Sequence, residues 1–325
     1  MIVKVLSQLI LISAVLQFFP ADAGELQSRA SLPETPARSF DLFETYDRIS
    51  HRLPQSPNRS QAPVKRVRES MGAVTSAQSA IVVDRASKEV LFEKNVQNPR
   101  AIGSITKLMT AFVFLQGNPD LDAPATLTPE DIRYGAEIHL SIGETVTVRD
   151  LLKASLVGSD NSSTAALARL SGMSLGDFVA KMNETAAEFG MQRTTFDDTT
   201  GLSPKNISVV TDLVMMFDKI LENQTIREMT QLSHVDITGS SGRTYGVEST
   251  DELLGTFIDQ PPYDIIGGKT GYLPEAGYCL GTVFSREGAG EIIVVVLGSE
   301  TKEGRFQDAK SLAVWTYHTY GWQTL

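Results

Sequence analysis

The chain has 325 residues, 42% of them hydrophobic, and a formal net charge of −10. That length allows one large domain or two modest ones, with a sizeable core. The acidic balance argues against a polyanion such as nucleic acid as partner, and a lone cysteine, Cys279, excludes an intrachain disulfide.

From the N-terminus, Lys4 precedes the apolar run VLSQLILISAVLQFF, and Ala21 and Ala23 supply the small residues of a cleavage site. This pattern predicts a secretory signal over residues 1–23. An uncleaved anchor is the alternative, but the run is short for a membrane span and contains Ser and Gln. No later stretch is longer than the strand-sized EIIVVVLG, and Cys279 is too far from the cleavage site for lipid attachment there. Residues 24–73 are rich in Pro, Ser, Arg and Gln and read as a flexible extension, with SFDLFETYDRI a short helix within it.

A folded domain is expected over residues 74–325. SAIVVD and EVLFE read as a hairpin turned by RASK, and Pro99 stops the strand pattern. AIGSITKLMTAFVFL then becomes a helix from Ser104 to Leu115, apolar on every side and therefore central. Thr128 and Pro129 mark a helix start, and Thr147 with Asp150 forms a capping box for a helix to Leu156. After a break at 158–161 come SSTAALARLSG, an amphipathic helix ending at Gly190, and SVVTDLVMMFDKILE. DITGSSGRTYG reads as a hairpin or loop. The period then changes: YDIIGGKTGYL, GYCLGTVFSRE and EIIVVVLGSE are three strands, and RFQDAKSLAVWTYHTYGW closes the chain as a helix. The expected architecture is α/β of the α+β kind. One antiparallel sheet joins the early hairpin to the last strands, with the first apolar helix on one face and the terminal helix on the other.

Three short motifs carry possible chemistry. Ser104 and Lys107 lie one helical turn apart. A serine hydroxyl is a poor nucleophile unless a neighbour takes its proton, and a lysine can do so if burial lowers its pKa. Ile102, Ile105, Leu108 and Met109 supply the desolvation, and a helix start aims free N–H groups at a developing oxyanion. Taken alone, SxxK is more often a capping serine beside a surface lysine. Ser159-Asp160-Asn161 interrupts two apolar helices; its ordinary reading is a capped turn. Its functional reading is Ser159 as proton relay and Asn161 holding a substrate amide or steadying Lys107, with Asp160 turned away to cap a helix. Lys269-Thr270-Gly271 sits in a glycine-flanked strand, which suits close approach of an extended peptide along a sheet edge. Lys269 and Thr270 would then face a substrate carboxylate. It does not match the phosphate-loop pattern. No histidine cluster or other ligand spacing suggests a metal, and nothing indicates an organic cofactor. His139 and His234 read as surface residues, Cys279 as core, Met215 and Met216 as helix core, Trp315 and Trp322 as packing for the last helix, and Asp197 and Asp198 as shaping a loop beside the cleft.

The order SxxK, then SDN about 55 residues on, then KTG about 110 beyond that, resembles the low-molecular-mass penicillin-binding proteins, the serine D-alanyl-D-alanine peptidases. GSITKLMTA, VGSDNSSTAALA, FDDTTGLSPKNIS and GGKTGYLPEAGYCL extend the likeness over roughly residues 77–320. The resemblance implies the fold shared with β-lactamases. It makes Ser104 the residue acylated by peptidoglycan stems ending in D-Ala-D-Ala, and by β-lactams, with Lys107 as base. Ser159 and Asn161 match the middle motif and Lys269, Thr270 and Gly271 the last. The oxyanion donors would be the N–H groups of Ser104 and Leu273. Only about 54 residues follow Gly271, without a lysine-rich amphipathic foot, so the layout is similar to the short endopeptidase-type members and no stable membrane anchor is expected. A periplasmic location is expected, or a secreted, wall-facing one without an outer membrane. Two alternatives stay open: a class A-like β-lactamase, although FDDTTGLSPKN lacks the glutamate those enzymes use for deacylation, and a catalytically silent relative that only binds.

Overall fold

The computed structural model describes residues 61–70, 72–135 and 138–323. The expected signal and most of the expected extension lie outside the described residues. Val64–Lys65, inside that extension, pairs with Tyr320–Gly321.

Seven strands and seven helices position the site. The strands are β1 (Ser79–Asp84), β2 (Val90–Lys94), β3 (His234–Thr238), β4 (Thr244–Glu248), β5 (Tyr263–Leu273), β6 (Gly277–Arg286) and β7 (Ile292–Ser299). The helices are α1 (Thr106–Gln116), α2 (Val148–Leu156), α3 (Asn161–Leu170), α4 (Leu175–Glu188), α5 (Val210–Ile220), α6 (Gln224–Thr230) and α7 (Lys302–Thr319). The main sheet is antiparallel in the order β5-β6-β7-β1-β2.

Both faces of this sheet are covered, which is why β7 reads as an unbroken apolar run. Val82, Leu280, Phe284, Val294 and Val296 meet Phe306, Ala309, Leu312 and Tyr317 of α7. The alternate residues Ile81, Val83, Val283, Ile293 and Val295 belong to the larger core under the helical block. On that side α5, rather than α1, lies directly on the sheet; α1 is buried among the helices and meets β5 through its entry turn, Gly103–Ile105. A helix apolar all round is satisfied by helices on every side, so it need not lie on the sheet.

The start read at Thr128 forms its capping box but yields only the 3-10 turn Pro129–Asp131. Thr147 caps α2 by accepting from Asp150 N, as its box predicts. α6 was not separable in sequence from the helix before it, and the glycine-rich stretch at 236–246 is the hairpin β3–β4. No helix among the described residues is long and apolar enough to cross a membrane.

Candidate active site

Ser104 stands in the 3-10 turn that leads into α1, and Lys107 is in the first turn of the helix. Lys107 is fully buried, and its Nζ donates to Ser104 Oγ at 2.6 Å and to the carbonyl of Thr200 at 2.8 Å. Burial pulls its pKa down to about 7 although Asp160 and Asp198 oppose the shift. An amine that is partly neutral near neutrality, in hydrogen-bond reach of a hydroxyl, can take that hydroxyl's proton.

Three glycines let backbones close around this turn. A Cβ on Gly271 would stand 2.3 Å from the carbonyl oxygen of Ile102, one on Gly201 2.1 Å from that of Gly103, and one on Gly103 2.7 Å from the nitrogen of Tyr272. Gly103 and Gly201 also have φ of +53° and +88°, a region L side chains rarely adopt. The serine is thus wedged between the sheet edge and the 198–206 loop, with no side chain between.

That loop is folded around two polar side chains. Asp198 accepts from the backbone N–H groups of Thr200, Gly201 and Ser203. Asn206 accepts from the N–H groups of Asp197 and Asp198 and donates to Thr106 Oγ1 at 3.0 Å. The result aims the Thr200 carbonyl at Lys107. Asp197 receives Ser203 Oγ at 2.6 Å. Both aspartates are occupied in shaping the loop, as expected from sequence, and neither reaches the serine. The part played by Asn206 and Thr200 was not separable in sequence from an ordinary turn.

The middle motif sits opposite. Ser159 has φ +59°, a rare value for a side-chain-bearing residue, and its Oγ accepts from Lys269 Nζ at 2.9 Å. Asp160 caps α3 by accepting from Ser163 N at 2.6 Å, and its other oxygen accepts from His139 N at 2.8 Å. Asn161 is buried, and its Oδ1 has no hydrogen-bond partner among the described residues; Lys107 makes its hydrogen bonds to Ser104 and Thr200. Of the two roles foreseen for Asn161, this geometry favours a group left free for a ligand.

Lys269 is buried, and burial, Lys107 and Arg305 together push its pKa well down. Thr270 shares a hydrogen bond with Thr250 at 2.7 Å. The strand's outward edge beside Gly103 belongs to Tyr272, whose N and O both approach it, whereas Leu273 pairs with Gly277 and its carbonyl accepts from Ala276. Backbone groups alternate sides along a strand, so the expectation at Leu273 is corrected by one residue to Tyr272.

Ser104, Ser159, Thr270, Gly271 and Tyr272 line one cleft of about 370 Å³ together with Lys302 and Arg305 of α7. Arg305 was missed in sequence, where it was only the first residue of a terminal helix. It is buried and donates to the carbonyl of Gly271 at 3.3 Å, while its Nε has no partner among the described residues. His139 lines the same cleft, half-buried, with its Nε2 3.3 Å from the Gly158 carbonyl. His234 is exposed, between Glu248 and Asp236. Cys279 is in the core, its thiol pushed up to about 11 by burial. No group of three or more His, Cys, Asp or Glu among the described residues is placed to hold a metal ion.

A family profile described as D-alanyl-D-alanine carboxypeptidase, peptidase family S11, matches residues 65–301. The chain belongs to this family of serine peptidases. It is 37% identical over 206 residues to a D-alanyl-D-alanine endopeptidase of Haemophilus influenzae, a match covering 63% of this chain and 69% of that protein. It is 31% identical over 246 residues to a D-alanyl-D-alanine carboxypeptidase of Bacillus subtilis, covering 73% of this chain and 61% of that one. The crystal structure of the Streptomyces K15 DD-transpeptidase superposes with a TM-score of 0.70 at 28% identity, over 77% of this chain and 100% of the other. The ampicillin-bound penicillin-binding protein D2 of Listeria monocytogenes gives 0.63 at 32% identity, over 75% and 98%. The fold is that of the S11 peptidases, and the order SxxK, SDN, KTG is that of a serine D-alanyl-D-alanine peptidase.

Proposed function

We propose that this S11 peptidase hydrolyses D-alanyl-D-alanine and D-alanyl-diaminopimelate bonds of peptidoglycan stems through an acyl-enzyme on Ser104, and that β-lactams acylate the same oxygen. The observation that carries the reading is the 2.6 Å contact between Ser104 Oγ and a buried Lys107 whose pKa is drawn to about 7. Neutral Lys107 takes the Ser104 proton as Oγ attacks the carbonyl of the penultimate D-alanine. The oxyanion is met by the N–H groups of Ser104 and Tyr272. Asn161 Oδ1 accepts from a backbone amide of the stem. As the tetrahedral intermediate collapses, the C–N bond breaks and the proton held by Lys107 passes to the leaving amine through Ser159, which Lys269 holds. Water then attacks the ester, giving a proton to Lys107, which returns it to Ser104 Oγ as the C–O bond breaks. Thr270, Gly271, Lys269 and Arg305 form the end that receives the leaving residue's carboxylate.

The names of the relatives support both carboxypeptidase and endopeptidase activity, and the 37% identity to an endopeptidase favours cross-link cleavage. A class A-like β-lactamase is disfavoured because Asp197 and Asp198, in the loop where a deacylating acid would be sought, are engaged within that loop. Residues 1–23 are proposed as an export signal and residues 74–325 as the catalytic domain, with action in the periplasm or at the wall. The deciding experiment is mass-resolved digestion of a monomeric pentapeptide muropeptide and a D-Ala-diaminopimelate cross-linked dimer, beside Ser104→Ala. Loss of one alanine or splitting of the dimer, absent in the variant, is expected. No product from either substrate would overturn the reading.

A further inference from the structure

The cleft does not stop at Arg305. Lys302, one helical turn earlier on the same side of α7, lines it too, together with Glu252. D-Alanine has one carboxylate and a methyl group, and Arg305 with Thr270 suffices for it. Lys302 is surplus to that need.

Its placement is also unfavourable for the helix. Lys302 opens an 18-residue helix, where a cation opposes the helix dipole, with Glu303 as the acid of the same turn. The Arg305 Nε, on a residue only 5% exposed, lacks a partner among the described residues at this same end. Lys302 and Arg305 thus bring two cations to a cleft whose lining also holds Glu248 and Glu252. Lys302 is held by Glu252 at 2.5 Å, but both side chains are about half exposed, at 53% and 48%. A pair so solvated is cheap to exchange for another carboxylate.

We propose that Lys302 is a specificity residue: it leaves Glu252 to meet a second carboxylate, carried by the leaving strand of a cross-linked substrate and absent from D-alanine. The inference rests on the peptidase reading above. When a cross-link is cut, the leaving group is a diamino acid still joined to its own stem; the carboxylate beside its leaving amine takes the place of D-alanine's, and the stem's further carboxylates lie beyond it. The ammonium of Lys302 is the next cation along that path. Glu252 competes with the ligand for it.

The test is kcat/KM for the full chain on two purified substrates, the pentapeptide monomer and the cross-linked dimer, in the wild type, Lys302→Ala and Glu252→Gln. Lys302→Ala is expected to lower the dimer-to-pentapeptide ratio about fivefold, the size of one half-exposed charge contact. Glu252→Gln is expected to raise that ratio, about twofold, by freeing Lys302. A dimer with its stem carboxylates amidated should lose the difference between wild type and Lys302→Ala. An unchanged ratio in Lys302→Ala, or an equal fall on both substrates, overturns the inference. So does a wild type that trims the pentapeptide and never cuts the dimer, an outcome that leaves the peptidase reading intact. A wild type inert on both substrates overturns the reading itself.

Discussion

Two lysines are buried in this cleft, and each donates to a serine hydroxyl, yet their surroundings differ. Lys107 contacts Ser104 and is countered by Asp160 and Asp198, which hold part of its charge in place against burial. Lys269 contacts Ser159 and has two cations, Lys107 and Arg305, as its strongest charged neighbours, with Asp251 the one acid opposing them. The same residue type and the same depth therefore produce a tuned base on the helix side and a strained cation on the strand side. The strained side is where a substrate carboxylate would arrive. Such an anion restores the charge that burial and like neighbours take from Lys269, so binding energy and charge state are coupled there.

The sharpest break in this comparison is to remove each amine in turn. Lys107→Met is expected to cut kcat/KM and the rate of penicillin acylation by about 10³-fold or more, because the base and the serine act as a unit. Lys269→Met is expected to lose about 10²-fold, with much of it in KM for substrates bearing a free carboxylate. Steady-state kinetics on the pentapeptide and stopped-flow acylation by a fluorescent penicillin measure both. Equal losses with no KM component for Lys269→Met would mean the two lysines share one role.

Next in size is the gap between the strand and the serine turn. Gly271→Ala places a methyl 2.3 Å from the carbonyl of Ile102, backbone that cannot move aside without shifting Ser104. A displacement of this order is expected to cost about 10²-fold in acylation, with the folded state retained by circular dichroism. Gly176→Ala is the control: neither glycine has a positive φ, and a Cβ at Gly176 meets nothing nearer than Ser174 Oγ at 3.9 Å.

Much of this was legible beforehand, and the reason is physical. The motifs are short in sequence because each is fixed by one local element: a helical turn for Ser104 and Lys107, a capped break for Ser159 to Asn161, a strand for Lys269 to Gly271. Buried strands and helices announce themselves by apolar runs, so the sheet and α7 were readable. What was not readable depends on pairing between distant segments. Arg305 becomes a site residue only because α7 packs so that its first turn lies beside β5. Tyr272 rather than Leu273 faces the serine because of strand register, which sequence alone does not set at single-residue resolution. Asn206 and Thr200 matter through contacts about 100 and 93 residues away.

The pH dependence separates the two lysines more gently. If Lys107 is the base, acylation rises with pH through a midpoint of about 7, falling about tenfold per unit below it. The sign for stability is the same: the folded state releases a proton that the unfolded state keeps up to about 10.5, so stability should rise between about 7 and 10.5. Lys107→Met removes that lysine's share of the slope and leaves the share of Lys269, which burial also shifts down, and urea unfolding at several pH values measures the difference. A penicillin acylation rate flat across neutrality would remove Lys107 as the base.

The smallest expected effect lies away from the chemistry, at the hairpin that walls the cleft. Glu144 accepts from Ser241 N at 2.9 Å, Ser241 Oγ at 2.6 Å and Tyr245 Oη at 2.7 Å, and these bonds draw its pKa down to about 2. A carboxylate whose folded value lies below its ordinary 4.5 adds stability above that value and loses it as pH falls toward 2. Gly239 leaves the room this needs, since a Cβ there would stand 2.2 Å from the Glu144 carboxyl carbon. Glu144 thus ties the β3–β4 turn to the segment entering α2, and β4 carries Gly246 and Glu248 to the cleft. Glu144→Gln keeps the shape but cannot accept as strongly, so it should lower the thermal midpoint slightly and flatten its decline between pH 4.5 and 2. Turnover should change through KM rather than kcat, because only the wall moves. A variant that lost kcat with KM intact would show that this hairpin positions Ser159 or Lys269 and not merely the entrance.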